Sequence, residues 1–295
     1  MFRDKDRYLS ILLISPSIIA VLIFVYGFIG WSLRVSLSKW KGLSPDYTWN
    51  ALKNYTDLFA DPRFHVDIRN TLIFTGVFVI GSIILGFLMA VMLDQGLKGE
   101  AFFRSLFLFP MAISYIVTGV VWRWLMNPAT GSRTSGLNLL FSYLHLDFLQ
   151  NSWYNTPTWG MAAIALAAIW QMSGYTMALY LAGLRSIPQE LREAAQMDGA
   201  SEFQIYRYIM IPLLSPVTLS ALIILGHMSL KVFDLIVAVV GKQLPLDVPA
   251  IYMWQTTFDG LFYGRGAAIG ILLLISVAVL IIPYIRYTLK TETQQ

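Results

Sequence analysis

Cysteine is absent from all 295 residues, which excludes disulfides, thiolate metal sites and cysteine nucleophiles. Charge is nearly as scarce: Asp, Glu, Lys and Arg make up 13%, against 57% hydrophobic residues and a mean hydropathy of +0.62. A soluble domain carries about a quarter charged residues, so this composition belongs to an integral membrane protein. The net charge of +4 and the pI near 9.2 suit anionic lipid surfaces and give no argument for nucleic acid. No GxxxxGK[ST] phosphate loop occurs, so ATP binding by this chain is not expected. His65, His145 and His227 are far apart, with no HExxH or HxH spacing, and offer no metal site. No GxSxG elbow is present, and Asp234, in hydrophobic text, lacks a paired acid for general acid–base work. An intramembrane enzyme therefore has no constellation to stand on.

What the chain has is apolar runs. Leu9–Leu33 is uncharged over about 25 residues, longer than the roughly 7–15 of a signal peptide's apolar region and long enough to span a bilayer. Further spans are expected at 71–93, 105–126, 158–184, 212–232 and 266–285, with the first at 9–33. The second carries Gly76, Gly81 and Gly86 at five-residue steps, and small residues let helices approach closely in lipid. Pro110 interrupts the third, and Arg123 near its end is expected to snorkel. The fold class is all-α: a polytopic membrane protein with six transmembrane helices. Six spans place both termini and the loops after the second and fourth helices on one side. The spread of Lys and Arg does not say which side that is.

The polar stretch 185–211 reads as two short helices around a tight turn. Ser186 with Gln189 has the spacing of a capping box, with Pro188 in the first turn. Asp198-Gly199 ends that helix, since glycine takes the left-handed conformation at little cost. Ser201 with Gln204 repeats the capping pattern and starts a second helix that runs to Pro212. Leu191, Ala194, Ala195 and Asp198 fall on one face, a small, flat surface suited to docking. An ordinary solvated loop is the plainer alternative. A DNA-binding helix-turn-helix is disfavoured, because Arg207 is the second helix's single cation.

Glu193-Ala194-Ala195, three residues, Gly199, nine residues, Ile209 and Pro212 resembles the EAA loop of binding-protein-dependent ABC transporter permeases. The family usually has leucine before the closing proline, where this chain has Ile211, a swap that keeps volume and apolarity. The likeness extends to Asn54-Tyr55, Leu58-Phe59, Asp61-Pro62 and Asn70-Thr71-Leu72 in the first outer segment. It also takes in Arg104, Phe109-Pro110, Trp122 and Phe233-Asp234. The resemblance implies one permease domain over 1–295, of the carbohydrate importer type that includes maltose and glycerol-phosphate permeases. It implies a second permease subunit, a cytoplasmic ATPase dimer that uses ATP and Mg, and an extracytoplasmic solute-binding protein. The chain itself would hold no cofactor. It further implies a prokaryotic cell membrane, with both termini and a helix-turn-helix loop in the cytoplasm. Glu193, Ala194, Ala195, Asp198, Gly199, Ala200, Ile209 and Pro212 would couple to the ATPase. A permease for a phosphate ester or amino acid is an alternative, as is a secondary transporter.

Two polar groups are candidates for a substrate pathway. His227, Lys231 and Asp234 stand at i, i+4 and i+7, one face of a helix, with Ser229 beside them. Gln171 and Tyr175 form an i, i+4 pair next to Trp170. Amides and aromatic faces suit sugars. The alternatives are a snorkelling lysine with a Lys–Asp pair for the first group and interhelical hydrogen bonding for the second.

Overall fold

Long apolar stretches, interrupted at proline and by short polar segments, fold into helices throughout the computed structural model. It describes the backbone over residues 2–292 and side chains over 11–282. The charged start at Met1 and the polar tail's end at Gln295 lie outside the described residues. Among those described there is no strand, only one isolated bridge between Ser38 and Trp49. In chain order the helices are α1 (Ile11–Ser36), α2 (Lys53–Phe59), α3 (Pro62–Asp94), α4 (Glu100–Ala112) and α5 (Tyr115–Leu125). Next come α6 (Gly136–Tyr143), α7 (Gly160–Ser186), α8 (Gln189–Met197), α9 (Glu202–Leu213) and α10 (Ser215–Leu230). The last are α11 (Asp234–Val240), α12 (Pro249–Trp254) and α13 (Tyr263–Glu292).

Four stretches, Ile11–Ser36, Pro62–Asp94, Gly160–Ser186 and Tyr263–Ile282, are long and apolar enough to cross a membrane, and up to six are if two bent pairs each make one span. The third expected span is such a pair: α4 and α5 meet at 98°. Pro110 has no N–H to give, Ile113 is extended, and the Ser114 hydroxyl caps α5 by accepting from the Val117 N–H at 3.3 Å. The other pair, α9 and α10, bends by 64° beside Leu214.

The chain divides into two compact units. In the larger, built on residues 65–249 and 276 onward, α7 is the central helix. A Cβ on Gly81 would stand 2.4 Å from Ile169 Cδ1, and one on Gly86 would stand 2.2 Å from Thr176 Oγ1. At those two positions glycine brings α3 onto α7, and the Thr176 hydroxyl donates to the Ser82 carbonyl at 2.8 Å. Gly76 meets nothing within 4 Å and has no such role. Ala90, Met177, Tyr180, Leu184, Ile205 and Leu214 pack one buried cluster.

The smaller unit takes residues up to 64 and 250–275. Leu58, Phe64, Tyr252 and Ile269 form its core. Beside them the Asp61 carboxylate accepts from the Tyr252 hydroxyl at 2.6 Å and from the Arg63 backbone N–H at 2.9 Å, and it pairs with Arg265. Burial pushes the Asp61 carboxyl up, but these donors outweigh it and hold it below its ordinary value. Burial and the bond to Asp61 push the Tyr252 hydroxyl upward.

Candidate functional site

Helix α7 ends at Ser186, and Ile187-Pro188 turns the chain into α8. The capping box expected at Ser186 and Gln189 does not form. Ser186 is still helical, its hydroxyl donates back to the Gly183 carbonyl at 2.7 Å, and α8 starts with no side-chain cap. The turn at the other end of α8 is as expected: Gly199 has φ +80°, and the Ala200 N–H donates to the Ala195 carbonyl at 2.9 Å. The Ser201–Gln204 capping box is complete.

Of the face Leu191, Ala194, Ala195 and Asp198, Ala195 turns inward and is buried, because the turn folds α8 against α9. Ala200 and Ile209 also pack on the buried cluster. Glu193, Ala194, Asp198, Gly199 and Pro212 are exposed. Exposed with them are Met197, Phe203 and Tyr208, at 89%, 78% and 71%. These three bare, largely hydrophobic side chains on a polar loop are available for contact with a partner. Sequence reasoning passed over them, although apolar residues in the most polar stretch were the available signal.

Ion pairs tie this loop to its neighbours. Arg185 pairs with Glu100 at 2.8 Å, and Arg192 pairs with Glu202 at 2.8 Å. Asp94 lies 4.0 Å from Arg185 and 3.8 Å from Arg192. Helices α3, α4, α7, α8 and α9 thus share one network at the loop's base. A groove of about 820 Å³ opens there, lined by Asp94, Arg185, Pro188, Arg192 and Glu193 among others.

A second site lies elsewhere along α7. A cavity of about 240 Å³ is lined by Phe74, Phe78, Tyr115, Ser229, Lys231 and Asp234, with Ala168 contributed by α7. The single helical face expected for His227, Lys231 and Asp234 does not exist. Helix α10 stops at Leu230, Lys231 caps it, and Asp234 begins α11. The break nevertheless brings Ser229, Lys231 and Asp234 to one cavity. Ser229 is buried, and its hydroxyl accepts from Thr75 at 2.9 Å and donates to the Gly226 carbonyl at 2.7 Å. His227 sits before the break, half-buried, and is not in the lining.

Trp170, Gln171 and Tyr175 are not in the lining either. Trp170 packs against Trp122, ring centres 6.1 Å apart. The buried Gln171 amide donates to the Ile113 carbonyl at 2.6 Å, satisfying a backbone group that the α4–α5 break leaves without a helical partner. A Cβ on Gly174 would lie 1.9 Å from the Phe107 carbonyl oxygen, so α7 holds the break at Gly174 and Gln171 together. Phe74, Phe78 and Tyr115 were missed, and nothing in the sequence singles them out among 18 Phe and 15 Tyr. Among the described residues no group of three or more metal-ligating side chains occurs.

A family model for the inner membrane component of binding-protein-dependent transport systems matches residues 82–289. The chain belongs to that family. The match begins within α3 and takes in α7, the loop of α8 and α9, and the α10–α11 break. This inner membrane component is 41% identical over 294 residues to a probable ABC transporter permease of Pyrococcus horikoshii, covering 99% of each chain. To a xylose/arabinose import permease of Haloferax volcanii it is 35% identical over 272 residues, covering 91% of this chain and 84% of that one. Its fold matches a chain of a bacterial alginate ABC transporter, crystallised in complex with alginate pentasaccharide-bound periplasmic protein. That match has a TM-score of 0.78 at 23% identity, over 96% of this chain and 94% of that one. Members of the family are the membrane permeases of ABC transporters, not their ATPases.

Proposed function

We propose that this permease is one of two related membrane subunits of an ATP-driven sugar importer, and that it transmits ATPase movement to the translocation pathway through the 185–211 loop. The observation that carries this reading is helix α7, unbroken from Gly160 to Ser186. One end of it leads into the loop, whose Met197, Phe203 and Tyr208 stand bare for a partner. Farther back it seats the α4–α5 break through Gln171 and Gly174, and contributes Ala168 to the cavity. The six spans of this reading count each bent pair as one crossing, with both termini in the cytoplasm of a prokaryotic cell. ATP and Mg belong to the ATPase dimer docked on this loop, where Glu193, Ala194, Asp198, Gly199 and Pro212 are exposed to it and Ala195, Ala200 and Ile209 pack inward and hold the loop's shape. ATPase closure drives the pathway only if the ATPase binds the two permease states with different affinity.

A neutral solute is favoured because Lys231 shares the cavity with Asp234, so the lining carries no excess positive charge for an anion. The Haloferax relative's name, a xylose/arabinose import permease, points the same way. The alginate transporter's complex with a periplasmic protein supports delivery by a solute-binding protein. The test is Phe203→Asp in the reconstituted complex, scored for sugar uptake and sugar-stimulated ATPase activity. Phe203 is exposed, so the subunit should still insert while both activities fall together. Uptake that persists without any ATPase would replace this reading with a secondary transporter.

A further inference from the structure

Within the smaller unit, α1 and α13 leave between them a groove of about 500 Å³ lined mostly by apolar and aromatic residues. Gly266, Ala267 and Gly270 line it from α13, with Trp31, Trp40 and Tyr263 around one end. It follows α13 from Tyr263 to Leu274, a length of about 16 Å at 1.5 Å per residue. An apolar groove of that length accommodates the extended hydrocarbon of an acyl chain.

One end of the groove is unlike the other. Trp40 packs against Trp31, Tyr47 and Tyr263 at ring distances of 6.2, 5.4 and 4.8 Å. Rings of this kind belong at the headgroup level of a bilayer. The Arg34 guanidinium lies 5.2 Å from the centre of the Tyr47 ring, and the Lys41 ammonium lies 4.4 Å from that of Phe262. Arg34, Lys39 and Lys41 outnumber the one acidic residue of the segment 34–47, Asp46. Cations at an aromatic interface attract anionic headgroups.

We propose that this groove is a binding site for an anionic membrane phospholipid, one acyl chain lying along α13 and the phosphate held by Arg34 and Lys41. The proposal needs membrane insertion alone and stands apart from the transport reading. Its test presents the full-length chain with vesicles of equal parts phosphatidylglycerol and phosphatidylcholine and counts retained lipid by native mass spectrometry. Wild type should keep one phosphatidylglycerol in preference to phosphatidylcholine. Ala267→Phe, which fills the groove, should lose it, and Arg34→Gln with Lys41→Gln should abolish the headgroup preference. The double variant leaves the groove intact and decides the question if Ala267→Phe does not insert. Equal retention by Ala267→Phe and wild type, or no preference in wild type, overturns the proposal. So does a Leu274→Cys probe, clean in this cysteine-free chain, that cross-links to a partner subunit's helix in the assembled complex.

Discussion

Gly174→Ala should be among the most damaging single-methyl changes in this permease. The added Cβ would lie 1.9 Å from the Phe107 oxygen, 2.6 Å from its carbonyl carbon and 3.1 Å from Leu108 Cα. All three are backbone atoms, so no side chain can swing aside. Ordinary contact begins near 3.4 Å, and 3.4 minus 1.9 requires α4 to retreat by about 1.5 Å. A retreat of that size endangers the 2.6 Å bond from Gln171 to the Ile113 carbonyl. Overpacking costs about 1–3 kcal/mol, and a lost hydrogen bond about 1 kcal/mol more, a total of roughly 2–4 kcal/mol. Gly76→Ala is the control. It too puts a methyl on an apolar helix, but nothing stands within 4 Å, so its effect should be neutral or slightly stabilising, up to about 1 kcal/mol. Thermal unfolding of the purified chain in one detergent compares the two. If both variants melt alike, α4 is not seated on α7 at Gly174, and the account of the break fails.

Other perturbations have equally definite outcomes. Gly199→Val puts a branched side chain at φ +80° and should cost about 1–2 kcal/mol. Open space around Gly199 rules out a clash with surrounding residues and leaves the local backbone strain as the cause, so Gly199→Asn, which tolerates this conformation, should retain more transport than Gly199→Val. Charge reversal Arg192→Glu should lower the melting temperature through loss of the Glu202 pair, worth about 0.2–1 kcal/mol at a partly exposed site. Adding Glu202→Arg should restore part of it at most, because Asp94, 3.8 Å from Arg192, would then face a carboxylate, and high salt should shrink both effects. Asp61 has its folded-state carboxyl held below the ordinary 3.8, so its stabilising contribution is full at neutral pH and lost as pH falls through the folded value. The melting-temperature gap between wild type and Asp61→Asn should be flat from pH 7 to about pH 5 and narrow in acid; a gap that widens in acid would refute the assigned direction.

Much of this was legible because lipid makes the code simple. Apolar runs mark the long helices, and the turn at Gly199 follows from one residue type at one spacing. The misreadings share a cause. Periodicity continues a helix through Lys231 to Asp234, since nothing local forbids it, whereas in the structure α10 ends at Leu230, next to the Thr75–Ser229 hydrogen bond. Ser186 has the right spacing for a capping box, but α7 runs two residues past its last apolar residue, Leu184, and absorbs it. Gln171 reads as a sugar ligand or a bundle tie with equal force until the carbonyl freed at Ile113 appears beside it.

Unpaired backbone is costly in a membrane and survives where protein or a polar cavity satisfies it. The larger unit interrupts its apolar helices at Ile113–Ser114 and at Lys231–Phe233. These sites are far apart in sequence, and they meet at the same place. Tyr115 follows the first break directly, Lys231 and Phe233 make the second, and all three line the 240 Å³ cavity. Their meeting there has a physical meaning: broken helices supply polar backbone and re-aimed side chains that a continuous helix would turn to lipid. The first break is fastened to α7 and the second sits at the end of α10, which follows the loop in the chain. On the reading proposed above, a displacement of the loop would reach the cavity from two directions, along α7 to Tyr115 and along α10 to Lys231. The cavity's shape could then change without unfolding any helix, because the joints are already present.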